Sequence, residues 1–260
     1  MRIAIIGVGH MGGWFAKELA SEGHAVAVFD ADPQKIGGLP GLTVLQKFAE
    51  LADFAPELLL NAVSIQHTVA AFDACKPYLP DYCVLVDVTS VKGDLPKYYQ
   101  QGKFRYASLH PMFGPTFANV SDLREENVIL ISESDPNIKE LFRTFFDKRG
   151  VVNIFEFSFK KHDQMIAYSL TLPFASTLVF AACMDNTTVP GTTFKRHLTI
   201  ARGLLSEDDQ LLAEILFNQY SVEQLDKVTA RLEFLKHVIK GRDYEEAQRF
   251  FNQLRKNITS

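Results

Sequence analysis

The feature that most constrains the fold lies at the start of the chain. Arg2-Ile3-Ala4-Ile5-Ile6 is a short apolar run rich in β-branched residues, Gly7-Val8-Gly9-His10-Met11-Gly12 follows at once, and the residues from there to Ser21 carry a helical pattern. A buried strand that breaks into a glycine turn and then a helix is the sequence form of a dinucleotide-binding crevice. Gly7 permits the tight turn, Gly9 lets the backbone approach a diphosphate, and Gly12 lets the helix pack closely on the strand. His10 and Met11 then lie in the loop beside the diphosphate, at a helix N-terminus whose free N–H groups and dipole favour negative charge.

The next segment narrows the ligand. His24 to Phe29 reads as a second strand, and Asp30 stands at its end, eighteen residues beyond Gly12. That is close to the expected separation of about 20 residues for the acid that binds the ribose hydroxyls of the adenosine half. A carboxylate there favours NAD, because it would repel a 2′-phosphate, and no arginine follows within the next several residues to serve NADP. The same aspartate also suits a turn with Asp32-Pro33, and the two roles are compatible.

Further apolar strands are expected at Leu58–Val63, Val84–Val88, Tyr106–Leu109, Val128–Ile131 and Val151–Ile154, with helical segments between most of them. This alternation predicts an α/β doubly wound, mostly parallel sheet of the Rossmann type over residues 1–155. Ligands of such sheets bind beyond the carboxyl ends of the strands, so Ser64, which follows the Leu58–Val63 run, is assigned to the cofactor site. From about Phe157 onward the pattern contains no convincing strand. Residues 156–260 read as an all-α domain, with helices around 162–184, 194–205, 208–218, 221–240 and 243–257. Leu225, Val228, Leu232, Leu235, Val238 and Ile239 form a stripe near helical spacing. The apolar central helix exceeds what one small bundle needs, which predicts a homodimer formed through this domain.

Bulk properties exclude some function classes. The net charge of -4 gives no reason to expect a nucleic-acid partner. The three cysteines, Cys75, Cys83 and Cys183, lack metal-ligand spacing and read as reduced thiols, packed in the interior, of a cytoplasmic chain. No secretory leader is visible, and the first strand begins at once. Met165–Met184 is about long enough to cross a bilayer. Ser169, Thr171, Pro173, Ser176 and Thr177 interrupt it, however, and no basic cluster marks an end, so no membrane partner is expected.

Three clusters carry residues suited to chemistry: Ser90-Val91-Lys92, His110-Pro111-Met112-Phe113-Gly114-Pro115 and His162-Asp163-Gln164. A histidine at the carboxyl end of a strand in such a sheet faces the nicotinamide end of the crevice, and imidazole has the basicity to take a hydroxyl proton as hydride leaves. Lys92 could neutralise a substrate carboxylate, and Ser90 could hydrogen-bond the histidine or the hydroxyl. Taken singly, each also suits a structural role: His110 as a buried histidine satisfied by a backbone carbonyl, Ser90 as a helix cap, His162 as a helix-terminus residue.

Together with the N-terminal glycine turn, the strings Asp87-Val88-Thr89-Ser90-Val91-Lys92, His110-Pro111-Met112-Phe113-Gly114-Pro115 and His162-Asp163-Gln164 resemble, in order and spacing, the successive motifs of the prephenate dehydrogenase family of tyrosine biosynthesis. The resemblance runs from Met1 to about Asn218. It implies oxidation of prephenate by NAD with loss of the ring carboxylate, giving 4-hydroxyphenylpyruvate. His110 would be the base for the C4 hydroxyl, Ser90 and Lys92 would complete the catalytic set, and His162 would lie on the substrate side.

The resemblance has departures. The family's arginine for the substrate side-chain carboxylate aligns with Gly203, so Arg202, one residue early, is the expected anion ligand, with Lys195 and Arg196 behind it. Thr171-Leu172-Pro173-Phe174 lacks histidines that many members carry there. Either prephenate or arogenate therefore fits as substrate. No mutase domain is expected before Met1 and no regulatory domain after Asn257. Other two-domain dehydrogenases, such as β-hydroxyacid dehydrogenases, share the glycine turn but not the His110–Pro115 string. A non-catalytic NAD-binding regulator is the alternative of another class.

Overall fold

The computed structural model describes residues 1–37, 41–113, 123–185 and 189–259. The chain divides into two compact units. The first comprises residues 1–166 and 209–218, and the second comprises residues 167–208 and 219–260. The sequence boundary at 155/156 thus differs from the division by compactness, because two helical segments beyond it fold with the sheet.

The first unit is built on strands β1 (Arg2–Ile6), β2 (Ala25–Phe29), β3 (Thr43–Val44), β4 (Leu58–Asn61), β5 (Val84–Asp87), β6 (Arg105–Pro111), β7 (Asn127–Ile131) and β8 (Asn153–Phe157). They form one sheet in the order β3-β2-β1-β4-β5-β6-β7-β8. All neighbours from β3 to β6 are parallel, β7 runs antiparallel to β6, and β8 is parallel to β7. The chain leaves β1 for β2 on one side and returns through β4 on the other, so the order reverses beside β1. A crevice opens at such a reversal, beyond the carboxyl ends. The apolar run Ile3–Ile6 and strand β4 are buried along their length, as strands covered on both faces must be.

The helices of this unit are α1 (His10–Ser21), α2 (Leu51–Phe54), α3 (Ile65–Cys75), α4 (Leu95–Gln101), α5 (Pro136–Asp147), α6 (Phe159–Ile166) and, returning later in the chain, α9 (Asp209–Leu216). Trp14 and Phe15 of α1 meet Phe142, Phe145 and Phe146 of α5 in edge-to-face and stacked pairs. Trp14 also lies edge-on to Phe113, 5.4 Å between centroids, and so fixes the segment that follows β6 against α1. Cys75 and Cys83 are buried, and burial pushes both thiols up to about 12, so they are unreactive packing groups. Cys183 departs from that reading, because it follows the last turn of a helix and is exposed.

Among its described residues the second unit contains helices and connecting turns but no strand. It contains α7 (Leu172–Ala182), α8 (Thr192–Leu204), α10 (Ser221–Gly241) and α11 (Tyr244–Thr259). A π-helical turn, Ala167–Thr171, precedes α7. Pro173 stands at the start of α7 and has no N–H to continue the preceding ladder, which accounts for a register change there. Thr171 Oγ1 and Ser221 Oγ, 2.7 Å apart and buried, join this turn to α10. Phe159–Ala182 as a whole is long and apolar enough to span a membrane by length and composition.

Candidate active site

The glycine turn is shaped by three different demands. Gly7 has φ +86, and a Cβ there would stand 2.8 Å from the backbone of Ala62 and Val63 after β4. A Cβ on Gly12 would be 1.9 Å from the Gly7 carbonyl oxygen, so only glycine lets α1 sit this close to the turn. At Gly9 a Cβ would meet nothing within 4 Å, so its backbone faces open space. Gly9 is also the N-cap of α1. It gives no side-chain cap, and the first turn has no acidic residue. The amide groups there are thus uncompensated, which is what a bound diphosphate requires. His10 is exposed at the first helical position, and Met11 packs against the core.

Asp30 closes the other side of this turn. Its Oδ2 accepts from Val8 N–H at 2.6 Å and its Oδ1 from Asp32 N–H at 2.9 Å. Each carboxylate oxygen keeps a second lone pair for a ribose hydroxyl. The capping of the following turn falls to Asp32, which accepts from Gln34 N–H at 3.0 Å. A cavity of about 370 Å³ beside Asp30, lined among others by Ala31, Ile36, Val44 and Leu45, has the apolar walls an adenine ring needs. Ser64 is exposed as the N-cap of α3 but makes no cap bond. Instead Glu214 of α9 accepts from Gln66 N–H at 2.7 Å in the first turn of α3.

The second cluster lies along the same carboxyl edge. Sheet register pairs Asp87 with Ser108, which brings His110 level with Thr89, just past the end of β5. His110 is buried, and its Nδ1 is 2.9 Å from His162 Nε2. His162 is fully buried, with Nδ1 2.9 Å from Asp163 Oδ1. Asp163 in turn accepts from the backbone N–H groups of Lys92 (2.9 Å to Oδ1) and Gly93 (3.0 Å to Oδ2), and its own carbonyl accepts from Asn218 Nδ2 at 2.9 Å. Burial holds His110 well below the ordinary histidine range, and the neighbouring His162 and Lys92 add to this. Burial also lowers His162, against the pull of Asp163. Both rings are therefore neutral at neutral pH. Among the described residues His110 Nε2 has no hydrogen-bond partner, so this is the ring nitrogen left to accept a proton.

Two expectations change here. Lys92 is buried, and its ammonium donates to Asp87 Oδ1 (2.8 Å), Leu109 O (2.6 Å) and Thr89 Oγ1 (3.3 Å). All three protons are engaged inside the protein, so this lysine is not free to neutralise a substrate carboxylate. Asp87 also accepts from Tyr99 O–H at 2.8 Å. His162 likewise has no exposed surface on which to hold substrate, and its two nitrogens are committed to His110 and Asp163. Asp163 stands in the third sequence cluster without a role assigned to it there; its signal was an adjacent His-Asp pair at the start of a largely apolar helix.

Ser90 is half-buried, and no hydrogen bond joins it to His110 among the described residues. Gly114 and Pro115, the end of the His110 string, lie outside them. Arg202 and Lys195 are exposed on α8 in the second unit, two turns apart and so on one face of that helix.

Comparison with known proteins extends these observations. Residues 2–98 match the family model of the NAD binding domain of 6-phosphogluconate dehydrogenase. The T-protein of Haemophilus influenzae is 23% identical over 262 residues, covering 96% of this chain and 62% of that protein. A Methanocaldococcus jannaschii protein named "Probable arogenate/prephenate dehydrogenase" is 22% identical over 277 residues, covering 100% of this chain and 61% of that one. The chain thus spans about three-fifths of the length of these relatives. Among solved structures, prephenate dehydrogenase from Aquifex aeolicus in complex with hydroxyphenyl propionate and NAD+ superposes with a TM-score of 0.83, at 21% identity, covering 100% of this chain and 97% of the other. Synechocystis arogenate dehydrogenase gives 0.78 at 18% identity, covering 100% and 99%. The region that carries the glycine turn is an NAD-binding domain, and the likeness of this chain to the prephenate and arogenate dehydrogenases runs along its whole length in sequence and in fold.

Proposed function

We propose that the chain oxidises prephenate with NAD, with decarboxylation to 4-hydroxyphenylpyruvate. The observation that carries this reading is a neutral, buried His110 with Nε2 open, at the end of the sheet edge that also bears the glycine turn and Asp30. Bound NAD supplies the hydride acceptor. His110 Nε2 takes the C4 hydroxyl proton as the ring carboxylate departs and the ring becomes aromatic. Because aromatisation drives the reaction, the protein has chiefly to position the C4 hydrogen and hold a dianion. Ser90 binds the hydroxyl, and Arg202 and Lys195 are the basic residues proposed for the side-chain carboxylate. Gly7, Gly9, His10, Met11, Gly12 and Ser64 would hold the diphosphate and nicotinamide half of NAD, and Asp30 would hold the adenosine ribose. The free thiols of Cys75, Cys83 and Cys183 suit a reducing compartment and support a cytoplasmic location.

The test is direct. Purified protein with NAD and prephenate is expected to produce NADH and the aromatic product together, both followed by absorbance. Turnover with arogenate alone would correct the side-chain assignment, and turnover with neither would overturn the reading. In the same assay Asp30→Asn is expected to raise the Michaelis constant for NAD with little change in kcat, and an unchanged constant would leave Asp30 as a turn residue only.

A second copy of the chain is the proposed partner of the helical unit. Within that unit Val222, Leu225, Leu232 and Ile239 of α10 are exposed at 68%, 46%, 50% and 66%, and Ile258 of α11 at 83%. Surface of this kind marks an interface. Leu232→Asp with Ile239→Asp is expected to lower the sedimenting mass from two copies to one, and a monomeric parent protein would remove the proposal. Such a cover, rather than lipid, suits the apolar Phe159–Ala182 run, because a bilayer would strip His162 and Asp163 of their polar partners.

A further inference from the structure

We infer that His162 and Asp163 are positioning residues that fix which nitrogen of His110 carries its proton. The geometry determines the direction. Asp163 already accepts two backbone N–H groups and can only accept again, so His162 Nδ1 must be the donor across their 2.9 Å contact. A neutral His162 then has a bare Nε2, and this nitrogen can only accept from His110 Nδ1, 2.9 Å away. His110 is thereby left with its lone pair on Nε2, the nitrogen without a partner among the described residues. A histidine released from this chain would hold its proton mainly on Nε2 and would present a donor where the reaction needs a base. A histidine oriented by a buried carboxylate is familiar from nucleophilic triads. Here a second imidazole stands between the carboxylate and the working ring.

The other end of the arrangement is equally fixed. Lys92 holds Leu109, the residue before His110, through its ammonium, and holds Asp163 through its backbone N–H. Asn218, two residues past the end of α9, restrains the Asp163 carbonyl. Both ends of the two-histidine chain are therefore tied to one loop after β5. The charged groups around the pair are Lys92, Asp87 and Asp163, and the lysine and Asp87 neutralise each other in direct contact.

This inference deepens the reading of His110 as base, but it has a readout of its own. Histidine side-chain nitrogen NMR of the substrate-free protein is expected to show His110 and His162 both neutral, with the proton on Nδ1 in each. His162→Phe removes the acceptor. It is expected to move the His110 proton to Nε2 and to lower kcat with prephenate by about 10- to 100-fold, while the constant for NAD stays unchanged. His162→Gln offers an acceptor towards His110 and a donor towards Asp163. It is expected to restore the Nδ1 proton on His110 and most of kcat. A parent His110 with its proton on Nε2, or an unchanged His110 tautomer in His162→Phe, would overturn the inference whatever the substrate proves to be. Parent spectra as expected, combined with no turnover of prephenate or arogenate, would instead overturn the proposed function and leave the positioning chain standing.

Discussion

His110→Asn is expected to turn over prephenate about 10²- to 10⁴-fold more slowly than the parent protein, with NAD affinity preserved. Asparagine is chosen because its amide can still donate towards His162 Nε2, so the buried hydrogen bond need not be lost, whereas its carbonyl oxygen has no useful basicity. NAD affinity is expected to survive because the glycine turn and Asp30 make no hydrogen bond to His110. Near-normal kcat would remove His110 from the chemistry, and lost NAD binding would show that it supports the crevice instead.

The pH dependence provides a second reading of the same group. Burial, with His162 and Lys92, holds the folded His110 well below 6.5. A base with a lowered pKa stays unprotonated further into acid, so the acid limb of kcat/KM for the parent is expected below the ordinary histidine value. The stability effect has a defined sign. Below 6.5 the unfolded chain protonates His110 and His162 while the folded chain resists, so unfolding takes up protons and stability falls as pH falls through that range. His110→Asn removes one of the two groups and is expected to flatten that loss, as measured by urea unfolding between pH 7 and pH 5.

Much of the crevice was legible because its demands are local. A turn at Gly7, an open backbone at Gly9 and a close approach at Gly12 each require glycine at one place, and a strand of buried β-branched residues needs no distant information to be recognised. The expected strands fall within a few residues of the observed ones for the same reason. The antiparallel course of β7 was not legible, since pairing direction depends on how the chain returns rather than on the composition of the strand. The two-residue edge strand Thr43–Val44 is too short to show a period. His110 could be placed by its strand end, but the roles of Lys92 and His162 could not. Lysine is ordinarily a surface residue, and what keeps this one inside is partly the carbonyl of Leu109, a group that every residue carries and no sequence pattern marks. His162 and Asp163 act on residues 52 and 71 positions away, so their function exists only once the sheet has brought β5, β6 and α6 together.

Replacing the buried lysine tests that last point with the largest expected effect on stability. Lys92→Met is expected to cost about 3–5 kcal/mol in urea unfolding, because it leaves Asp87 inside the protein without its cation. Methionine fills similar space, so a cavity is not the main cause. In the parent, burial raises the Asp87 carboxyl and contact with Lys92 overrides this, holding it below its ordinary range. Without the lysine, burial dominates and the folded carboxyl rises above its unfolded value. The folded variant then takes up its proton at a higher pH than the unfolded chain does, so its deficit against the parent is expected to shrink as pH falls towards and through the ordinary carboxylate range. Adding Asp87→Asn removes the stranded charge while keeping an acceptor for Tyr99, and the double variant is expected to recover a substantial part of the loss. A lysine serving as a substrate ligand gives the opposite pattern: Lys92→Met would unfold with the parent protein, show no pH-dependent deficit, gain nothing from Asp87→Asn, and reveal itself only as a raised Michaelis constant for prephenate.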